Sequence, residues 1–110
     1  VALGKGRPIV PLLHDSHAFA ICQIAPSDRL TKKRFAAGDA GDSAFEAIET
    51  FKAVTGSPII AKSLAYLDCE LVRHIDVDGD HDIYVGLVRD GKLLNDEEVT
   101  VRLRDDGYTY

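Results

Sequence analysis

Gly79-Asp80-His81 delivers an imidazole onto the first position of an alternating apolar run, His81, Ile83, Val85 and Leu87, which predicts a strand with the histidine on its inward face. Where a hairpin emerges, such a side chain can look into a cavity at the mouth of a barrel, with Ile83 and Val85 as the wall behind it. The alternative is a histidine that serves only the turn. Asp80 reads as a turn carboxylate that accepts backbone N–H groups and aims His81, rather than as a general base. Lys5-Gly6-Arg7 sets two cations around a glycine, and positive side chains beside backbone N–H groups are what a phosphate monoester requires. The run is neither a G-x-G-x-x-G fingerprint nor a P-loop, and a solvated basic turn is its other reading. Lys32-Lys33-Arg34 is the densest basic run; from the residues alone it reads as a solvated helix face that complements the negative C-terminal end of the helix.

Other constellations carry less. The acidic run from Asp76 to Asp82 suggests calcium, but an EF-hand loop needs Gly at its sixth position and Glu at its twelfth, where this run has His81 and Leu87. His14 and His17 stand three apart without a third well-spaced ligand, which argues against zinc. No G-x-S-x-G elbow is present.

The elements that must position these residues follow from periodicity. Val1 to Leu13 reads as extended, broken by Gly and Pro, and Ala18 to Ile24 as a short buried strand. Ser27 is the expected cap of a helix over Asp28 to Ala37, ended by Gly38, with Asp39 to Asp42 as loop. Ser43 and Glu46 form a capping box, and Ala44, Ile48 and Phe51 recur on one face, predicting a second helix that ends near Gly56. Beyond Ser57 the period becomes two. Ala65, Leu67, Cys69, Leu71, Ile75 and Val77 face one way, Asp68, Glu70, His74 and Asp76 the other. Asp78-Gly79 predicts a tight hairpin turn, Asp90-Gly91 a second, and Val99, Val101 and Leu103 a last strand before Asp106-Gly107. An antiparallel meander with helices inserted early points to a small barrel rather than a doubly wound sheet.

The totals bound the function. A chain of 110 residues fits one domain, and 45% hydrophobic with 28% charged residues is ordinary globular composition without repeats. A net charge of -5 argues against nucleic acid as the main partner. No apolar run approaches the roughly 18 residues needed to span a bilayer, so a membrane role is not expected. Cys22 and Cys69 are too few for a disulfide framework and fall in apolar strand patterns; reduced core thiols, and with them a cytoplasmic setting, are the expectation.

Three segments together carry a resemblance: Gly79-Asp80-His81 with its strand through Arg89; Ser16-His17-Ala18-Phe19-Ala20-Ile21-Cys22-Gln23-Ile24; and Lys33-Arg34-Phe35-Ala36-Ala37-Gly38. In that set and order the chain resembles the flavin reductase-like, FMN-binding split-barrel family over nearly its whole length. The resemblance implies a mainly β fold with short helices, an antiparallel split β-barrel of the FMN-binding type, as one domain over residues 1–110. Family members open with a Thr/Ser-rich phosphate-binding segment and a Pro-Pro turn, whereas Val1 to Arg7 matches the strand just after that turn. The domain is therefore expected to be N-terminally incomplete, and since the chain has no Met, Val1 is not the expected translation start.

The same resemblance implies roles. His81 would sit near the flavin and nicotinamide rings and place them for hydride transfer. Lys5, Gly6 and Arg7 would meet the flavin phosphate, Arg34 would reach a phosphate, and Phe35 would pack near the flavin or a dimer seam. Tyr108 would flank the cavity or the partner subunit, or else serve as a simple core anchor. The implied activity is NAD(P)H-dependent reduction of FMN or FAD in a homodimer, with a monooxygenase as a further partner. Two alternatives stay open: an FMN-binding electron carrier that does not oxidise nicotinamide, and a fragment without function alone.

Overall fold

The computed structural model describes residues 1–36, 44–96 and 98–99. Its elements in chain order are β1 (Ala2–Gly4), α1 (Ile9–Ser16), β2 (Ala18–Gln23), α2 (Arg29–Ala36), β3 (Thr50–Lys52), β4 (Pro58–Ile60), β5 (Ala65–Asp76) and β6 (His81–Leu93). β1, β6, β5 and β2 form one four-stranded sheet in that order, and β3 and β4 pair separately. Every pairing is antiparallel.

The long β5–β6 hairpin is the frame. Asp78 takes the left-handed backbone of its connection at φ 60°, a conformation that Asp tolerates, and its N–H donates to Asp76 Oδ1 at 2.8 Å. The chain reverses at Asp78-Gly79 as expected, but through the longer connection of residues 77–80 and with only Asp78 at positive φ, so the turn is not a tight one. The expected turn at Asp90-Gly91 is absent: β6 continues to Leu93, and Gly91 lies opposite Leu67. A Cβ at Gly91 would stand 3.0 Å from Leu67 Cδ2 and 3.0 Å from the Tyr66 carbonyl oxygen, so this glycine serves close strand approach rather than chain reversal.

Residues 1–13 are not extended throughout. After β1, Gly6 turns the chain at φ 82° and Pro8 caps α1. Pro11 falls in the first turn of that helix, where its missing N–H has no intrahelical partner to lose. His17 closes α1 in the left-handed region at φ 54°, donating its N–H to the Leu13 carbonyl at 2.9 Å. The next helix begins one residue later than expected, because Asp28 rather than Ser27 is its cap. Asp28 Oδ1 accepts the Thr31 N–H at 3.2 Å and its Oδ2 the Thr31 hydroxyl at 2.7 Å.

The second predicted helix is replaced by a hairpin. Ser43 of the capping box lies outside the described residues; Ala44 to Ala47 make a short turn, and Thr50 to Ile60 form β3 and β4 around Gly56 at φ 92°. Helical spacing of Ala44, Ile48 and Phe51 was outweighed by β-branched residues and by the Gly56-Ser57-Pro58 turn signal. The hairpin is tied to β5 by Asp68, which is fully buried and accepts from both the N–H and the hydroxyl of Thr55. Phe51 meets Tyr66 edge to face at 5.7 Å.

The strand faces also differ from strict alternation. Asp68 is opposite Asp90 but Cys69 is opposite Val88, and Leu71 is opposite Gly86 but Arg73 is opposite Val85, so Arg89 and Val72 are extra residues at two bulges. On β6 the buried side chains are Asp82 and Tyr84, whereas Ile83, Val85 and Leu87 are 38%, 40% and 49% exposed. The apolar face predicted to line a cavity is the open face of this chain, and the face predicted to meet solvent holds the buried groups. The reason is coverage: α1 with His14, and the Phe19 ring over Gly86, occupy the polar-patterned side. The last expected strand, apart from exposed Val99, lies outside the described residues, as does Tyr108.

Candidate functional site

The pairing of β1 with β6 decides what gathers at the hairpin end. Gly4 is opposite His81, and the Lys5 N–H donates to the Asp80 carbonyl at 2.9 Å. Lys5, Gly6 and Arg7, distant in sequence from His81, are thereby set beside it. The Gly6 turn has open space where a Cβ would be. His81 Nδ1 lies 2.9 Å from Asp80 Oδ1 and its side chain is half exposed, so the Asp80 carboxylate bonds the imidazole directly. That hydrogen bond keeps the Asp80 carboxyl below its ordinary range.

Lys5 is not a free cation. Its Nζ donates to Asp76 Oδ1 at 3.0 Å and stands 3.7 Å from Asp82 Oδ1. The Asp76 hydrogen bond raises the Lys5 pKa, while the Asp78 N–H, followed by Lys5, lowers that of Asp76. Both groups therefore stay charged through the neutral range.

Beneath this end lies a cluster that sequence reasoning missed. Asp82 Oδ2 is 2.9 Å from His74 Nε2, and the His74 ring stacks on Tyr84 with centroids 4.6 Å apart and planes at 2°. His14 of α1 meets His74 edge to face at 5.0 Å and places Nε2 at 3.5 Å from the Tyr84 hydroxyl. Tyr84 is 1% exposed, and burial, followed by Asp82, pushes its phenol pKa up. His14 drew notice only for its spacing from His17. The available signal was Asp82 and Tyr84 alternating with Ile83 and Val85, but pairing His74 with Tyr84 requires the strand register. Among the described residues no three His, Cys, Asp or Glu side chains converge so as to hold a metal ion.

Arg34 and Phe35 belong to the other end of the sheet. They lie on α2, which follows Gln23, and Gln23 is opposite Ala65, far along β5 from Asp76. Arg34 Nη1 is 3.9 Å from Glu46 Oε2, and Phe35 meets Phe45 edge to face at 5.2 Å. A single chain thus does not bring Arg34 and Phe35 to Lys5 and His81. A cavity of about 550 Å³ also opens at this far end, lined among others by Ser27, Arg29, Lys62, Ser63 and Glu98, and it touches none of the expected site residues.

The model of the flavin reductase like domain matches residues 1–109. The chain belongs to this family. Among curated relatives of the chain, a protein assigned as diflavin flavoprotein A 3 of Synechocystis sp. (strain PCC 6803) is 34% identical over 115 residues, covering 100% of the chain and 19% of the relative. One assigned as diflavin flavoprotein A 1 of Nostoc sp. (strain PCC 7120) is 43% identical over 105 residues, covering 91% of the chain and 18% of the relative. The chain therefore spans about a fifth of the length of the curated relatives it matches.

Solved structures agree on the fold. The NADH:FAD oxidoreductase SgcE6 of Streptomyces globisporus superposes with a TM-score of 0.75 at 24% identity, over 84% of the present chain and 56% of that one. A homolog of nitrilotriacetate monooxygenase component B from Mycobacterium thermoresistibile gives a TM-score of 0.74 at 26% identity, over 84% and 50%. The antiparallel split-barrel expectation holds.

Proposed function

We propose that this flavin reductase domain binds FMN or FAD and reduces it with NADH or NADPH, using Lys5, Gly6 and Arg7 toward the flavin phosphate and His81 to orient the rings. The observation that carries the reading is the β1–β6 register, which sets the Lys5-Gly6-Arg7 turn against Asp80-His81. The residues fit a phosphate by donor type: a glycine turn at φ 82° with open space, between two cations. Family membership supports flavin binding, and the bound flavin would supply the hydride-accepting chemistry. The chain's own residues hold and aim. His81, with Nδ1 occupied by Asp80, keeps Nε2 for a hydrogen bond to a nicotinamide carboxamide or flavin carbonyl. Arg34 and Phe35, which the described chain holds at the far end of the sheet, would join this site from a partner subunit, and Tyr108 would complete it.

His81→Ala should lower NADH or NADPH turnover by about tenfold, the value of one lost hydrogen bond, while flavin affinity measured by fluorescence quenching stays nearly unchanged. Full turnover in the variant would remove His81 from the mechanism. Flavin bound tightly without nicotinamide oxidation by the wild type would favour the electron-carrier reading.

The domain also pairs with a second copy in this proposal, through the exposed row Ile83, Val85 and Leu87. Sedimentation should then give twice the mass of the chain, and Val85→Asp should return it to the mass of one. A wild type that sediments as a single chain would reject the pairing. Reduced flavin would pass to a monooxygenase partner, a reading supported by the nitrilotriacetate monooxygenase component among the structural neighbours. The free thiols of Cys22 and buried Cys69 favour a reducing, cytoplasmic setting.

A further inference from the structure

Lys5 stands between two carboxylates that differ in what else they do. Asp76 Oδ1 takes the Lys5 ammonium at 3.0 Å and the Asp78 N–H at 2.8 Å, so the turn backbone aims this carboxylate at the lysine. Asp82 spends Oδ2 on His74 Nε2, and its buried Oδ1, 3.7 Å from Lys5 Nζ, has no hydrogen-bond partner among the described residues. Two carboxylates thus face one ammonium. A phosphate dianion approaching the Gly6 turn meets a cation already engaged, and must draw it from Asp76 against the remaining negative charge.

We propose that Asp76 is a specificity-determining latch on Lys5, competing with a ligand phosphate for the ammonium and so reducing the preference of the site for FMN over riboflavin. The proposal rests on the reading of Lys5 as a flavin-phosphate contact. Asp76 itself touches no flavin; it acts through the lysine, and only a ligand carrying the phosphate registers its presence.

Titration of the whole chain with FMN and with riboflavin, in wild type, Asp76→Asn and Lys5→Gln, tests it. The amide keeps an acceptor oxygen for the Asp78 N–H, so Asp76→Asn preserves the turn while removing the charge. Its FMN affinity is expected to rise roughly three- to fivefold, the worth of an exposed ion pair, with riboflavin affinity unchanged and the gain shrinking as salt is raised. Lys5→Gln should weaken FMN and not riboflavin. Unchanged FMN affinity in Asp76→Asn, with FMN weakened in Lys5→Gln, would overturn the latch and leave the phosphate reading standing. No effect of Lys5→Gln on FMN would overturn both. Parallel changes for FMN and riboflavin in Asp76→Asn would also overturn the latch, since the effect would then not pass through the phosphate.

Discussion

Asp68→Ala is expected to destabilise the domain by about 3 kcal/mol, read as a fall in melting temperature of roughly 13 °C. Asp68 is fully buried on β5, and its oxygens accept the Thr55 N–H at 3.0 Å and the Thr55 hydroxyl at 2.6 Å. Thr55 Oγ1 is in turn 3.0 Å from the buried Ser57 hydroxyl. Truncation leaves the Thr55 donors without their acceptor and opens a void where the carboxylate stood, and both effects act in the same direction. Asp68→Asn keeps one acceptor oxygen at about the same volume and should cost roughly half as much. Urea unfolding followed by circular dichroism measures both. A loss below about 1 kcal/mol for Asp68→Ala would mean that Ile59, Ile60 and the Phe51–Tyr66 contact hold the hairpin to β5 without help from the carboxylate.

Gly86→Ala should cost about 2–3 kcal/mol for a different reason. The added Cβ would stand 2.5 Å from Phe19 Cζ, 2.8 Å from Phe19 Cε1 and 2.8 Å from Cys69 Cβ. The Gly86 backbone lies outside the positive-φ region, so the penalty is a packing collision and not backbone strain. Phe19 is on β2, opposite Cys69, and its ring crosses β5 to cover the glycine. Combining Gly86→Ala with Phe19→Leu should therefore recover part of the loss, giving a non-additive double-mutant cycle. Strictly additive losses would show that the ring yields without consequence, and that Gly86 is present for some other reason.

The legibility of this chain was uneven, and the failures have definite causes. The long hairpin was readable because Ile75, Val77, Ile83, Val85 and Leu87 keep a period of two on either side of Asp78-Gly79. Its faces were not, because bulges at Val72 and Arg89 break the period of two, and because an alternating pattern does not say which side α1 and the Phe19 ring will cover. The second helix failed where the period of Ala44, Ile48 and Phe51 matched a helix by chance over a stretch whose β-branched residues and Gly56 turn favoured a hairpin. Asp90-Gly91 carried a turn signal, yet Gly91 serves a close approach to Leu67, a demand invisible until the two strands are registered.

Sequence by itself determined the family, the mainly antiparallel architecture and His81 at the hairpin end, since these rest on local residue order: a glycine turn, a strand period, short segments in a recognisable succession. Tertiary structure alone decided which groups meet. The β1–β6 register brought Lys5 to Asp76, Asp82 and Asp80, the β5–β6 register stacked His74 on Tyr84, and the path of the chain through β2 carried Arg34 and Phe35 to the opposite end. The Lys5–Asp76 contact joins residues 71 positions apart. Local pattern is blind to such contacts, because a strand's sequence specifies its own faces and turns, whereas its partner, and its offset along that partner, are chosen by the packing of the whole sheet.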